Sequence, residues 1–283
     1  MGGLTEEHRS SWNNNGFLVF PEFVDQQSLA CLNTQIDALV AGFANHLSPQ
    51  STTIFSTTEQ SHAQDEWFLS SGATIRPFFE DGAFDADGKL CVPFAEALNK
   101  IGHAMHDLDP TFDHFSRTPD LANLVSQLGV ADPLLLQSMI IFKPPRIGGE
   151  VACHTDHTFL WTDPPSVIGL WFALDDATVD NGCLWVLPSG HTKPVRSRSR
   201  LTASGTVTEV FDPTPYDMKQ LVPVEVKAGT LVAFSGLLPH WSAPNKSTTA
   251  RRAYTLHIID GTTQYAADNW LQRPRDLPFR GFS

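Results

Sequence analysis

A histidine and a carboxylate lie two residues apart in the segment CHTDH, between two apolar stretches of strand-like sequence. Side chains two residues apart on a β-strand point to the same face. His154 and Asp156 can therefore direct an imidazole and a carboxylate at one point. These are two of the three ligands of the facial triad that binds non-haem Fe(II) and leaves positions open for substrates. Because HxD pairs are common by chance, the pair predicts an iron site only together with a third ligand.

The best candidate for the third ligand is His240, in the segment GTLVAFSGLLPHWSAP. It follows an apolar run and a Gly-Leu-Leu-Pro turn, which would place it at the entrance of a strand. Arg251 and Arg252 follow, and alternation along a strand should send only one of them to the pocket. A guanidinium there can hold the far carboxylate of a dicarboxylate cosubstrate in a bidentate clamp. By the same alternation His157 should turn away from the ligands, to the surface or behind them.

The elements that must position these residues change character along the chain. In the first half, Thr5 caps a short helix, 17–20 reads as a buried strand, and Asp25 caps a second helix. Residues 98–108 and 121–128 have the spacing of further helices. This half therefore predicts a mainly helical support layer.

The second half contains short apolar runs of β-type residues separated by Pro, Gly and Asp. These runs are LLLQSMIIF, TFLWT, SVIGLWFAL, CLWVL, VPVEV, GTLVAFSG and RRAYTLHII. Their number and spacing predict a jelly-roll sandwich or barrel and not a parallel βαβ sheet. We expect one domain over 1–283, with helical support in 1–130 and the β-core with the catalytic site in 131–283. His257, in the last run, is expected to be a core residue.

The amino-acid composition indicates which classes of binding partner are unlikely for this chain. Of the 283 residues, 31 are acidic and 19 basic, and the net charge of −12 disfavours binding to nucleic acid. No apolar run approaches the roughly 20 residues of a membrane helix, and the chain does not begin with a signal-like segment. The four cysteines form no CxxC pair, which disfavours a structural zinc site. We therefore expect a cytoplasmic monomer that acts on a small molecule without nucleic-acid or membrane partners.

Several motifs in order resemble the phytanoyl-CoA dioxygenase family of Fe(II)/2-oxoglutarate oxygenases. They are HTD, LWFALDDATVDNGCLWVLPSGH, His240 and Arg251, with QSMIIFKPPRIGGEV, FLSSGATIRPFFEDGAFD and NKIGHAMHDLDP elsewhere, so that the resemblance runs from about residue 15 to the end. It implies a double-stranded β-helix (jelly-roll, cupin-like) fold and the use of iron, 2-oxoglutarate and O2. One departure is Pro188-Ser189-Gly190-His191, where the family usually has Pro-Gly-Ser-His, which questions the local turn geometry.

The resemblance also implies roles for individual residues. It places iron on His154, Asp156 and His240. It places the distal carboxylate of 2-oxoglutarate on Arg251, with help from Ser242. Three further residues match positions that line the cosubstrate in a related protein, and Gln137 joins them because it shares a strand face with Met139. These cosubstrate-lining residues are Lys100, Met139, Trp171 and Gln137.

The implied activity is oxidative decarboxylation of 2-oxoglutarate to succinate and CO2, coupled to hydroxylation of an unidentified small molecule. A fatty acyl-CoA 2-hydroxylase is an alternative, with weak support from four cations in 193–200 that could hold a phosphate. A non-catalytic jelly-roll scaffold that binds metal is a third possibility. The segments 48–71 and 192–220 are expected to shape the entrance to the site.

Overall fold

The computed structural model describes residues 3–46, 54–55 and 65–282. Fifteen strands lie in these residues: β1 Phe17–Phe20, β2 Ile75–Phe79, β3 Leu98–His103, β4 Pro133–Ile141, β5 Val151–His154, β6 Thr162–Asp163, β7 Ile168–Ala173, β8 Leu184–Val186, β9 Ser197–Thr202, β10 Gly205–Val210, β11 Val222–Val224, β12 Leu231–Ser235, β13 His240–Ser242, β14 Ala253–Asp260 and β15 Gln264–Tyr265. The helices in the same residues are α1 Glu6–Asn15, α2 Gln26–His46, α3 Glu66–Leu69, α4 Met105–Leu108, α5 Pro110–Ser116 and α6 Pro119–Gln127.

The strands form two main sheets. The major sheet has the order β1-β12-β7-β14-β4-β3-β2, and the minor sheet has the order β11-β8-β13-β5. All neighbouring strands in both sheets are antiparallel. β9 and β10 form a separate hairpin, and β6 pairs with β15. The predicted mainly β jelly roll with N-terminal helices is confirmed.

Central strands of the major sheet are buried on both faces. On β7, Trp171 and Ala173 pack in a cluster with Leu184 and Val186 of the minor sheet. The alternate residue Phe172 packs in the other cluster, which includes the buried residues of α2. The run SVIGLWFAL is continuously apolar because water reaches neither of its faces. In this sheet Thr255 lies opposite Trp171 on one side and Met139 on the other, so these three positions share the inner face.

The predicted helix over 98–108 is wrong. The segment forms β3, which pairs with β2 and β4, and only the short helix α4 follows it. The residues Leu98, Ile101 and Met105 have helical spacing, but all three are fully buried in a core that strand pairing creates. Tertiary pairing overrides a local periodicity of this length. Lys100 consequently lies on a strand.

Two further segments differ from the prediction. The run TFLWT contributes only its last residue to β6, because a 3-10 turn over Asp156–Thr158 comes first. The polar segment 192–220 contains the hairpin β9–β10, which has few apolar residues to reveal it because it lies outside the two main sheets. The N-terminal signals are confirmed, including the Thr5 cap of α1 and the strand at 17–20. Much of the segment 48–71, which was expected to shape the entrance to the site, lies outside the described residues.

Among the helices of residues 3–46 and 65–282, none combines the length and apolar character that a membrane crossing requires.

Candidate metal centre

Three side chains from the minor sheet and the turn after it meet at one point. β5 and β13 are antiparallel neighbours, and His240 lies directly opposite His154. β5 ends at His154, so Asp156 reaches the same point from a 3-10 turn and not from the strand itself. The Nε2 atom of each histidine is 3.6 Å from Oδ1 of Asp156. All three ligand atoms lie within 4.8 Å of one another, close enough to share a single ion.

Backbone carbonyls orient both imidazoles. His154 Nδ1 lies 2.7 Å from the carbonyl oxygen of Ala152, and His240 Nδ1 lies 3.0 Å from that of Leu238. A carbonyl oxygen can only accept, so each Nδ1 carries the ring proton. The unprotonated Nε2 atoms then face Asp156, which is how metal-binding histidines are usually held.

Burial and neighbouring charges set the protonation of the triad. Burial of Asp156 opposes its charge, but His257, His240 and His154 outweigh that effect and hold the carboxyl pKa well below its usual range. Burial lowers the pKa of His240 to about 4, with a further contribution from His154. At neutral pH the site therefore presents a carboxylate and a neutral imidazole, which are the forms that bind a metal ion.

His257 contacts the triad, although the sequence suggested a core residue. It is buried on β14, and its Nε2 lies 3.1 Å from Oδ2 of Asp156. Its Nδ1 lies 3.1 Å from Nε2 of Gln137, the residue opposite it on β4. The signal that could have found it is its position two residues beyond Thr255, on the inner face of the same strand. His157 is fully buried, with its ring 4.4 Å from that of Trp161, so of the two places expected for it the surface is excluded.

Arg251 lies just before β14 and contacts Ser242, the last residue of β13. Its Nε donates to the carbonyl oxygen of Gly182 at 2.9 Å, and its Nη2 donates to Oγ of Ser242 at 3.2 Å. The guanidinium carbon is 5.5 Å from the centre of the Trp171 ring. Its Nη1 is buried without a hydrogen-bond partner among the described residues. Ser242 is two residues beyond His240, about 6–7 Å along the strand, a separation that a five-carbon diacid can span.

The neighbouring arginine is engaged elsewhere. Arg252 donates from Nε and Nη2 to the two carboxylate oxygens of Asp175, both at 2.9 Å. Its backbone N–H donates to the same carboxylate at 2.8 Å. Of the two adjacent cations, Arg251 is the one with a buried N–H group that has no hydrogen-bond partner among the described residues.

A cavity of about 460 Å³ adjoins the triad. Five of the predicted site residues line it: His154, Asp156, Lys100, Met139 and Gln137. The other four are buried outside its wall: His240, Ser242, Trp171 and Arg251. The space in front of the triad is thus already open, whereas Arg251 lies behind the wall of the cavity.

Lys100 is buried and lines the cavity. It is 4% exposed, and burial lowers the pKa of its ammonium well below the usual value. Its Nζ lies 3.3 Å from the centre of the Phe55 ring and 5.1 Å from that of Phe68. Aromatic faces favour the charged form of a lysine, so these rings act against the effect of burial.

Lys143 and Glu80 also line the cavity. They lie in the segments QSMIIFKPPRIGGEV and FLSSGATIRPFFEDGAFD, but neither residue was predicted to belong to the site, because only the tertiary structure brings these two distant segments together. Lys143 Nζ donates to the carbonyl oxygen of Gly149 at 2.6 Å, and Glu80 Oε2 accepts from the N–H of Gly149 at 3.1 Å. Burial lowers the pKa of Lys143 to about 7, with a further contribution from Arg251. Burial raises the pKa of Glu80.

The depressed pKa of Lys143 predicts a pH dependence of stability. Between pH 7 and pH 10 the unfolded chain keeps the lysine proton and the folded chain releases it, so the folded state gains stability as pH rises. Relative to Lys143→Met, the wild type should gain roughly 3–4 kcal/mol of unfolding free energy across this window. Urea unfolding of the metal-free protein at both pH values measures it. The exposed Lys246→Met is the matched control, and parallel curves for wild type and Lys143→Met would contradict the prediction.

Comparison with known proteins gives one family and several relatives. The family described as phytanoyl-CoA dioxygenase (PhyH) matches residues 12–253. A phytanoyl-CoA dioxygenase of Arabidopsis thaliana is 40% identical over 97% of this chain and 95% of its own length. Phytanoyl-CoA dioxygenase domain-containing protein 1 of Bos taurus is 40% identical over 99% and 98%. The chain is also similar to the structure of EvdO2 from Micromonospora carbonacea var. aurantiaca complexed with 2-oxoglutarate, with a TM-score of 0.60 over 98% of each chain. The two sequences are 21% identical, so this similarity shows the fold alone.

Proposed function

The chain belongs to the phytanoyl-CoA dioxygenase family, and on that premise we propose that His154, Asp156 and His240 hold the catalytic iron. The protein is a 2-oxoglutarate-dependent non-haem iron dioxygenase. Iron(II) and 2-oxoglutarate, when bound, activate O2, so that 2-oxoglutarate is oxidised to succinate and CO2 while a substrate C–H bond is hydroxylated. The convergence of the three ligand atoms within 4.8 Å carries this proposal.

The donor atoms fit this pair of cofactors. Two neutral imidazoles and one carboxylate suit iron(II) and leave half of an octahedral shell open. The free buried Nη1 of Arg251 is an unsatisfied donor, which is costly unless an acceptor arrives. A carboxylate of 2-oxoglutarate supplies that acceptor, and Ser242 adds a hydroxyl beside it.

The remaining predicted residues shape the cosubstrate pocket. Lys100 brings an amine to the cavity that can donate to a carboxylate, and Met139 and Gln137 line the same space. Trp171 lies beneath the Arg251 guanidinium and restricts its orientation. In this proposal, closing the gap between the cavity and Arg251 accompanies binding of 2-oxoglutarate.

The hydroxylated substrate is proposed to be a small molecule and not an acyl-CoA. The three arginines that could have held a phosphate are paired: Arg196 with Asp212 at 3.6 Å, Arg198 with Asp268 at 2.5 Å and Arg200 with Glu209 at 2.8 Å. The hairpin instead presents hydroxyl groups to the cavity, including those of Ser199 and Thr208. The acyl-CoA alternative is favoured by the name of the Arabidopsis relative, a phytanoyl-CoA dioxygenase.

Our proposal for the whole chain is a single dioxygenase domain over 1–283 that works as a monomer in the cytoplasm. The net charge of −12 supports the absence of a nucleic-acid partner. The alternative of a non-catalytic metal-binding scaffold is tested by the experiment below.

Anaerobic titration with Fe(II) and 2-oxoglutarate tests the activity first. A weak visible charge-transfer band that requires both additions is expected, and Asp156→Asn should lack it. A protein that takes up zinc alone and shows no band would be a scaffold.

A metabolite extract is then screened for substrate-stimulated succinate release. Stimulation by acyl-CoA fractions alone would support the acyl-CoA hydroxylase.

A further inference from the structure

We propose that His257, oriented by Gln137, is a positioning residue that makes Asp156 bind the iron through one oxygen only. This inference rests on the proposed iron site. It concerns how the carboxylate is held and not which residues bind the metal.

The two oxygens of Asp156 have different surroundings. Oδ1 is 3.6 Å from the Nε2 atom of both His154 and His240 and so lies on the metal side. Oδ2 is 3.1 Å from Nε2 of His257, with the ring N–H oblique to the oxygen. The contact therefore engages the oxygen that the two iron-binding histidines do not face.

Packing also closes the space around Oδ2. A Cβ atom on Gly169 would lie 3.1 Å from this oxygen and 2.5 Å from the Phe234 ring. A side chain larger than hydrogen at 169 would therefore push against both groups. The glycine lets the major sheet approach the carboxylate closely, so Oδ2 lies against this sheet beside His257, the residue opposite Gly169.

Gln137 determines which nitrogen of His257 carries the proton. Its amide nitrogen lies 3.1 Å from Nδ1 of His257, and an amide nitrogen can only donate. Nδ1 must then be the acceptor, which places the ring proton on Nε2, toward Asp156. The reversed amide would place the proton on Nδ1 and set the Nε2 lone pair against a carboxylate, which is repulsive.

The contact between His257 and Asp156 connects the two sheets at the site. Gln137 and His257 are opposite residues on β4 and β14 of the major sheet, whereas His154 and His240 belong to the minor sheet. Asp156 lies in the turn after β5 and is held from both sides. The major sheet thereby fixes the orientation of a ligand that the minor sheet supplies.

One-oxygen binding has a chemical consequence. Three single-atom ligands leave three positions of an octahedral shell, enough for a two-atom chelate and one further ligand. A carboxylate that bound through both oxygens would occupy one of these positions. His257 is therefore expected to affect metal affinity and coordination number, and not turnover alone.

A matched pair of variants tests the proposal. His257→Gln can still donate a hydrogen bond near the position of Nε2, and His257→Leu cannot. We expect His257→Leu to weaken anaerobic Co(II) or Fe(II) binding by about 10- to 100-fold, as loss of such partners usually does. His257→Gln should bind within about threefold of wild type. The visible spectrum of the Co(II) protein should change in the leucine variant and not in the glutamine variant.

Wild-type affinity and an unchanged Co(II) spectrum in His257→Leu would overturn the proposal. Gln137→Leu provides the same readout should His257→Leu fail to fold, and there too a wild-type spectrum and affinity would overturn it. His154→Ala separates this outcome from failure of the proposed function. If the wild type binds metal no better than His154→Ala does, the proposed iron site is wrong. If the wild type binds metal more tightly than His154→Ala does, the iron site is supported independently of the result for His257→Leu.

Discussion

Asp156→Ala is expected to lower iron-dependent succinate formation from 2-oxoglutarate by more than about 100-fold. Asp156 supplies the only carboxylate of the candidate triad, and its loss should cost more than the 10- to 100-fold typical of residues behind a metal ligand. It also leaves two imidazoles without an anionic protein ligand to balance the charge of iron(II), so the affinity for iron should fall. Succinate release at saturating iron and 2-oxoglutarate measures the effect.

The fold should survive this substitution. Asp156 lies in a turn and not in either sheet, and removing it also removes a buried charge. Circular dichroism and thermal unfolding check this, with Asp156→Asn as a second variant that keeps the shape of the side chain. Asp180→Ala, an exposed carboxylate away from the cavity, is the matched control and should keep full turnover. Succinate production retained by folded Asp156→Ala would refute the role of this residue.

Arg251→Ala is expected to raise KM for 2-oxoglutarate by roughly 10- to 150-fold with little change in iron affinity. A charge-assisted bidentate contact contributes about 1.5–3 kcal/mol, which corresponds to that range. Burial lowers the pKa of Arg251 only to about 10, so the guanidinium remains charged at neutral pH. Steady-state kinetics with varied 2-oxoglutarate, together with anaerobic iron titration, separate the two effects.

The adjacent arginine is the natural control. Arg252 is held by Asp175, so Arg252→Ala should leave KM for 2-oxoglutarate within about twofold. An unchanged KM in Arg251→Ala would instead assign the distal carboxylate to another cation near the cavity. Lys100 and Lys143 line the cavity as Arg251 does not, and their methionine variants would then identify the residue.

The sequence alone was sufficient to predict the fold class and the family. Alternating and continuous apolar runs report which faces of a strand are buried, so most strands of the second half could be predicted. The order of HTD, His240 and Arg251 is specific because few folds need those residue types in that sequence. The prediction that His154, Asp156 and His240 could share an ion rested on this order, and their ligand atoms do lie together.

Tertiary structure decided what depends on pairing between distant segments. Residues 98–103 form a strand because β2 and β4 lie on either side of them, although their local spacing fits a helix. His257 meets Asp156 because β14 brings its inner face to the turn after β5, and Lys143 meets Glu80 through a similar approach. Secondary-structure propensity cannot predict such contacts, because it depends only on residues that are close together in the sequence.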